Sequence, residues 1–93
     1  MIEASAGLKL ADKLRALPLH QLERKDSKNK VLAEEIFKEI LKVYNEINSK
    51  KEVNYLGALV IGDQLKVAVR EAEKIKNGAG VLSEAIKNIN NLI

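Results

Sequence analysis

His20 is the only histidine in the 93-residue chain, within the stretch PLHQLERKD. A catalytic histidine needs a nucleophile or an orienting acid set against it, and a metal-binding histidine needs partner ligands. Neither arrangement is suggested nearby, so His20 reads as a residue of a polar turn. Glu35, Glu39 and Glu46 place carboxylates along one predicted helix. Carboxylate metal sites in helical bundles characteristically pair a Glu with a His three residues later. No such pair exists, and these glutamates sit among lysines as on a solvated face. Gly78-Ala79-Gly80 precedes a predicted helix and could form an anion-binding nest. The dinucleotide and P-loop forms need a preceding strand with more glycines, or a Lys-Ser/Thr pair. Both are missing, and the segment reads as a helix stop and turn. The residues therefore predict no catalytic, cofactor or metal site, and a non-enzymatic protein.

Two features could bind. Lys9, Lys13, Arg15, Arg24, Lys25, Lys28 and Lys30 form a basic segment able to contact phosphates in a salt-sensitive, sequence-independent way. Net charge is +3, and residues 9 to 30 alone carry an excess of four positive charges, so the remainder sums to minus one. Asp12, Glu23 and Asp26 interrupt the run, and no helix-turn-helix pattern accompanies it. Only three aromatic residues, Phe37, Tyr44 and Tyr55, are present, which weighs against binding single strands by base stacking. The second feature is apolar surplus. Leu56, Val60 and Val67 form a stripe interrupted by Asp63, and Ile36 and Val43 add apolar residues off the main face of another helix. If they do not pack internally they form a partner surface, and pairing with a second copy is the commonest use of such a surface.

The elements that position these residues follow from hydrophobic period. Leu8, Ala11, Leu14 and Leu17, with Leu10 beside them, predict a helix from about Ala4 to Leu17. Pro18 breaks it, and Leu19 with Leu22 suggests a further helical turn, giving a kinked N-terminal element. Arg24 to Lys30 holds no apolar residue and reads as a solvated connection, with Asp26, Ser27 and Asn29 as candidate N-caps. Lys30 to Asn48 is a helix whose apolar face carries Ala33, Phe37, Ile40, Leu41, Tyr44 and Ile47. Asn48 to Glu52 is expected to be a short polar turn joining antiparallel helices.

Val53 to Lys76 is expected to be the central helix, because Ala58, Ile61, Leu65, Ala68, Ala72 and Ile75 stay on one side of it. A kink at Gly62, with Asp63 capping a restarted helix, fits the same pattern. The alternative is an α+β fold with a β-hairpin over 53–69, since Val53, Val60, Ile61, Val67 and Val69 are β-branched and Gly62-Asp63 could turn. Asn77 to Gly80 stops the helix, with glycine past its end tolerating positive φ. A last helix runs from about Val81 to Leu92.

Apolar residues make up 46% of the chain, ordinary for a folded domain, and there is no cysteine to staple it. The longest uncharged run, Val53 to Gly62, is roughly half of the ~20 residues a membrane span needs. The N-terminal residues lack the basic start and apolar core of a secretory signal, which makes the cytoplasm the default compartment. The expectation is one all-α domain, a small up-down bundle of three long helices plus the kinked N-terminal element. Its expected function is protein–protein interaction or regulation as an adaptor, through an apolar helix face and with self-association. Nucleic-acid binding through the basic segment is the alternative. In size, charge and its four amphipathic segments the chain also resembles the small helical immunity proteins of bacteriocin producers, on layout alone. That resemblance implies protection of a producer cell, and no motif transfers particular residues.

Overall fold

The computed structural model describes residues 2–93. It is an all-α bundle, with helices α1 (Ile2–Ala16), α2 (Leu19–Leu22), α3 (Leu32–Glu46), α4 (Ile61–Glu73) and α5 (Gly78–Leu92). There is no β-hairpin over 53–69; the described residues hold no strand beyond one isolated bridge, between Lys25 and Val31. Pro18 separates α1 from the single turn α2, as expected from its fixed φ and missing N–H.

The loop after α2 is tied by Asp26, whose Oδ1 accepts hydrogen bonds from the N–H groups of Lys28 (2.8 Å) and Lys30 (3.0 Å). Asn29 takes the left-handed conformation at φ 66°. Neither Asp26, Ser27 nor Asn29 therefore caps α3. Its N-cap is Val31, in extended geometry, and Glu34 and Glu35 in the first turn suit the positive end of the helix dipole.

The end of α3 departs most from expectation. Asn48 adopts φ 56°, its N–H bonds to the Asn45 carbonyl at 3.1 Å, and the Ser49 N–H bonds to the Tyr44 carbonyl at 3.0 Å. That pair of bonds is a Schellman motif, and it sends the chain back along the helix it has just left. Lys51, just past α3, meets Glu71 near the end of α4, whereas Tyr55, just before α4, packs its ring at a tilt against Phe37 near the start of α3. Residues 49–57 thus form a strap along the bundle, and α3 and α4 point the same way. A long crossover of this kind is one of the two ways bundles connect their helices. The expected short turn at 48–52 is replaced by it: the chain enters no helix until Ala58 and is held along the bundle by Lys51 on Glu71 and Tyr55 against Phe37.

Gly57, at φ 105° and ψ 163°, ends the strap in a conformation open essentially to glycine alone. A 3₁₀ turn at Ala58–Val60 leads into α4. The expected central helix is accordingly shorter than Val53–Lys76, and Gly62 is no kink but the second residue of α4. Its role is contact: a Cβ there would stand 2.7 Å from the Ala11 carbonyl oxygen. Gly7 serves the same contact from α1, since a Cβ on it would stand 2.6 Å from Val69 Cγ2. These two glycines let α1 and α4 approach closely, and this is the most extensive helix pairing in the molecule.

Ala58, Ile61, Leu65, Ala68 and Ala72 are all buried, as the stripe predicts, and only Ile75 falls outside the core. α4 and α5 each pack on the other three long helices, while α1 and α3 lie across the bundle from one another. The last helix starts three residues earlier than expected, at Gly78 rather than Val81. Gly78 keeps a negative φ, and the reason for glycine is space: a Cβ would fall 1.9 Å from the Ala72 carbonyl oxygen.

Candidate functional site

The strap leaves an open groove of about 600 Å³ between itself and α4. Three local interactions build its wall. The Tyr55 ring lies against Phe37 with centroids 5.4 Å apart and planes inclined at 56°, which anchors the strap to α3. Gln64, from α4, uses both ends of its side-chain amide on the strap backbone. Its Nε2 donates to the Asn54 carbonyl at 2.8 Å, and its Oε1 accepts from the Leu56 N–H at 3.4 Å. Lys51 donates to Glu71 and pins the strap's other end. That hydrogen bond holds the Glu71 carboxyl below its ordinary pKa and lifts the Lys51 ammonium above its own. Tyr44 closes the inner wall beside them, and burial followed by the Glu71 charge pushes its hydroxyl upward.

Leu56, Val60 and Val67, the apolar stripe read from the sequence, all line this groove. Leu56 is 71% exposed and Val67 50%, while Val60 is half-buried. The structure brings these three together, although Leu56 reaches the groove from the strap and not from a helix. Ile36 and Val43 do not join them. They are 0% and 1% exposed, so as partner-surface residues they are corrected to core. The reason is the packing of α3, which has α4 on one side and α5 on the other, so its buried arc widens to include both.

Sequence reasoning missed Tyr44, Lys51, Val53 and Gln64 as lining residues. Tyr44 sat on a predicted core face, and Gln64 had no signal at all, because its partners are backbone groups of a segment expected to be helical.

The basic segment is divided. Lys9 and Lys13 lie on the exposed face of α1, whereas Arg24, Lys25, Lys28 and Lys30 belong to the loop before α3. Arg15 Nε pairs with Asp63 at 3.4 Å, and Lys30 pairs with Glu35 at 3.5 Å. Two of the seven cations are therefore engaged by carboxylates of this chain. Glu35 also meets Lys38, and Glu39 meets Lys42 at 3.0 Å and accepts from Asn88 at 2.9 Å. Among the described residues no group of His, Cys, Asp and Glu is placed to hold a metal ion. None of the described helices is long and apolar enough to cross a membrane.

The groove is mixed in polarity. It has an apolar stripe about two helical turns long, one carboxylate set midway, and walls fixed by side-chain clips. No protein-family model matches the chain, and no curated protein or solved structure matches it either.

Proposed function

We propose that the chain is a small non-enzymatic interaction domain, of the adaptor or regulatory kind, that receives apolar side chains of another protein in the groove between the strap and α4. The observation that carries this reading is the exposure of Leu56 and Val67 on facing walls of one groove. A chain of this size that closes a continuous core elsewhere has left two large apolar side chains at an opening able to take several more. The partner is either a second copy or a different chain, and sedimentation equilibrium distinguishes the two.

The test is site-specific photocrosslinking. A benzophenone amino acid in place of Leu56 is expected to give discrete adducts in cells, and the same group in place of Lys87, on the exposed face of α5, is expected to give none. Equal labelling from both positions, or none from position 56, would overturn the reading.

A further inference from the structure

We infer that the groove takes a cationic amphipathic helix, with apolar residues one heptad apart and a Lys or Arg between them. The inference rests on the interaction reading above and adds the chemistry of the occupant. Val67 lies seven residues after Val60, the last residue of the 3₁₀ turn that leads into α4, which sets the two about 10 Å apart along the helix axis. Asp63 stands between them on the same wall, so an all-apolar partner would bury a carboxylate against hydrocarbon.

Arg15 reaches Asp63 through a single contact, from Nε to Oδ1, and both side chains remain about half exposed. Among the described residues no cation meets the second carboxylate oxygen. Glu52 also lines the groove, and it pairs with no cation among the described residues. Lys51, the only basic residue in the lining, is held by Glu71. The charged residues that line the groove, Lys51, Glu52 and Asp63, sum to minus one on a chain whose net charge is +3.

This sign also decides between the two candidate partners. A twofold pairing of two copies presents the same patch to itself. It would gather the Asp63 and Glu52 carboxylates of both copies into one interface, where like charges oppose association. A foreign helix that places a cation between two apolar anchors satisfies the stripe and the carboxylates together.

Three synthetic helical peptides with the same leucine face, bearing Lys, Gln or Glu on the flanking positions, test the inference by fluorescence anisotropy with the intact chain. At low salt the Lys peptide is expected to bind about tenfold more tightly than the Glu peptide, with the difference shrinking as salt rises. The whole-molecule charge opposes this order, so net attraction cannot produce it. The double substitution Glu52→Gln/Asp63→Asn is expected to reduce the preference to about twofold. Glu52→Lys, at an exposed unpaired position, gives a second readout in the same direction if the double variant fails to fold. Leu56→Asp/Val67→Asp is expected to abolish binding of all three.

Equal affinity for the three peptides, or preference for Glu, would overturn the cationic occupant while leaving the groove as an apolar recognition surface. A Lys preference that survives Glu52→Gln/Asp63→Asn would place the recognition elsewhere and overturn it too. Failure of every peptide to bind overturns the helical occupant, and the crosslinking at position 56 then shows whether the groove is used by a different kind of chain. A stable dimer that the Lys peptide does not dissociate counts equally against it.

Discussion

Gln64 holds Asn54 across the groove, its Nε2 donating to the Asn54 carbonyl at 2.8 Å while its own carbonyl accepts the N–H of Leu56. A side-chain amide here does what a neighbouring strand would do, satisfying alternate backbone groups of an otherwise irregular segment. It belongs to α4, so the rigidity of that helix is passed to the strap. Replacing Gln64 with Leu is expected to destabilise the fold by only about 1 kcal/mol, since both bonds are exposed. The local effect should be larger, with faster hydrogen exchange at the Leu56 amide and little change within α3 or α5. An unchanged exchange rate at Leu56 would show that Tyr55 on Phe37 suffices to hold the strap.

Two glycines separated by one residue should respond oppositely to alanine. Gly78→Ala drives a Cβ into the Ala72 carbonyl, and backbone cannot retreat as a side chain can. A loss of about 2–3 kcal/mol is expected. Gly80→Ala meets nothing within 4 Å and lies inside α5, where alanine is favoured by about 1 kcal/mol. Chemical denaturation of the two variants reads both signs. Equal effects would place the turn before α5 differently.

The Lys51–Glu71 clip predicts a stability plateau with two edges. Glu71 is held below its ordinary value of 4.5 by the Lys51 hydrogen bond, so its contribution is complete above 4.5 and disappears as pH falls through the lowered folded value. Asp26, lowered by the N–H groups of Lys30 and Lys28, adds to the same acid edge. Lys51 is raised above 10.5 by its bond to Glu71, so its contribution is complete below 10.5 and is lost as pH rises through the raised folded value. Burial raises Tyr44 above 10.0, with the Glu71 charge second, and ionising it on the alkaline side costs stability in the same direction. Thermal unfolding from pH 2 to pH 11 is expected to show a shallower acid edge in Glu71→Gln and in Lys51→Met. The double variant should be no shallower than Glu71→Gln alone, whereas Lys51→Met leaves Glu71 the weaker attraction of Lys74.

Core and groove separate under truncation. Ile36→Ala removes a side chain with no exposure at all and is expected to destabilise by about 2–5 kcal/mol. Val67→Ala, at a half-exposed position, should stay within about 0.5 kcal/mol of the parent. A large loss at Val67 would mean that the groove is occupied in the free protein.

The helices were legible where one apolar stripe met one environment. The buried set Ala58, Ile61, Leu65, Ala68 and Ala72 follows from spacing alone, as does the break at Pro18. The strap was not legible, because Val53 and Leu56 continue an apolar run that is equally consistent with another helical turn. Two tertiary contacts hold them outside a helix, Tyr55 on Phe37 and the Gln64 clip, after the local Schellman reversal at Asn48 has ended α3. The candidate site was half legible for the same reason. Leu56, Val60 and Val67 were identifiable as surplus, whereas the groove depends on a chain path that their types do not encode. Ile36 and Val43 were misassigned because periodicity reports how wide an apolar arc is, not how many neighbours cover it.

The placement of α1 has a kinetic consequence. Its partners are α4 and α5, so the contacts made through Gly7 and Gly62 join residues more than forty positions apart. During synthesis α1 leaves the ribosome with its apolar face uncovered, and α3, the next long helix to emerge, does not lie beside it. The face is closed only after residues 61–92 have been made. Folding therefore depends on long-range contact formation, and its rate should fall below that of bundles whose neighbours in space are neighbours in sequence.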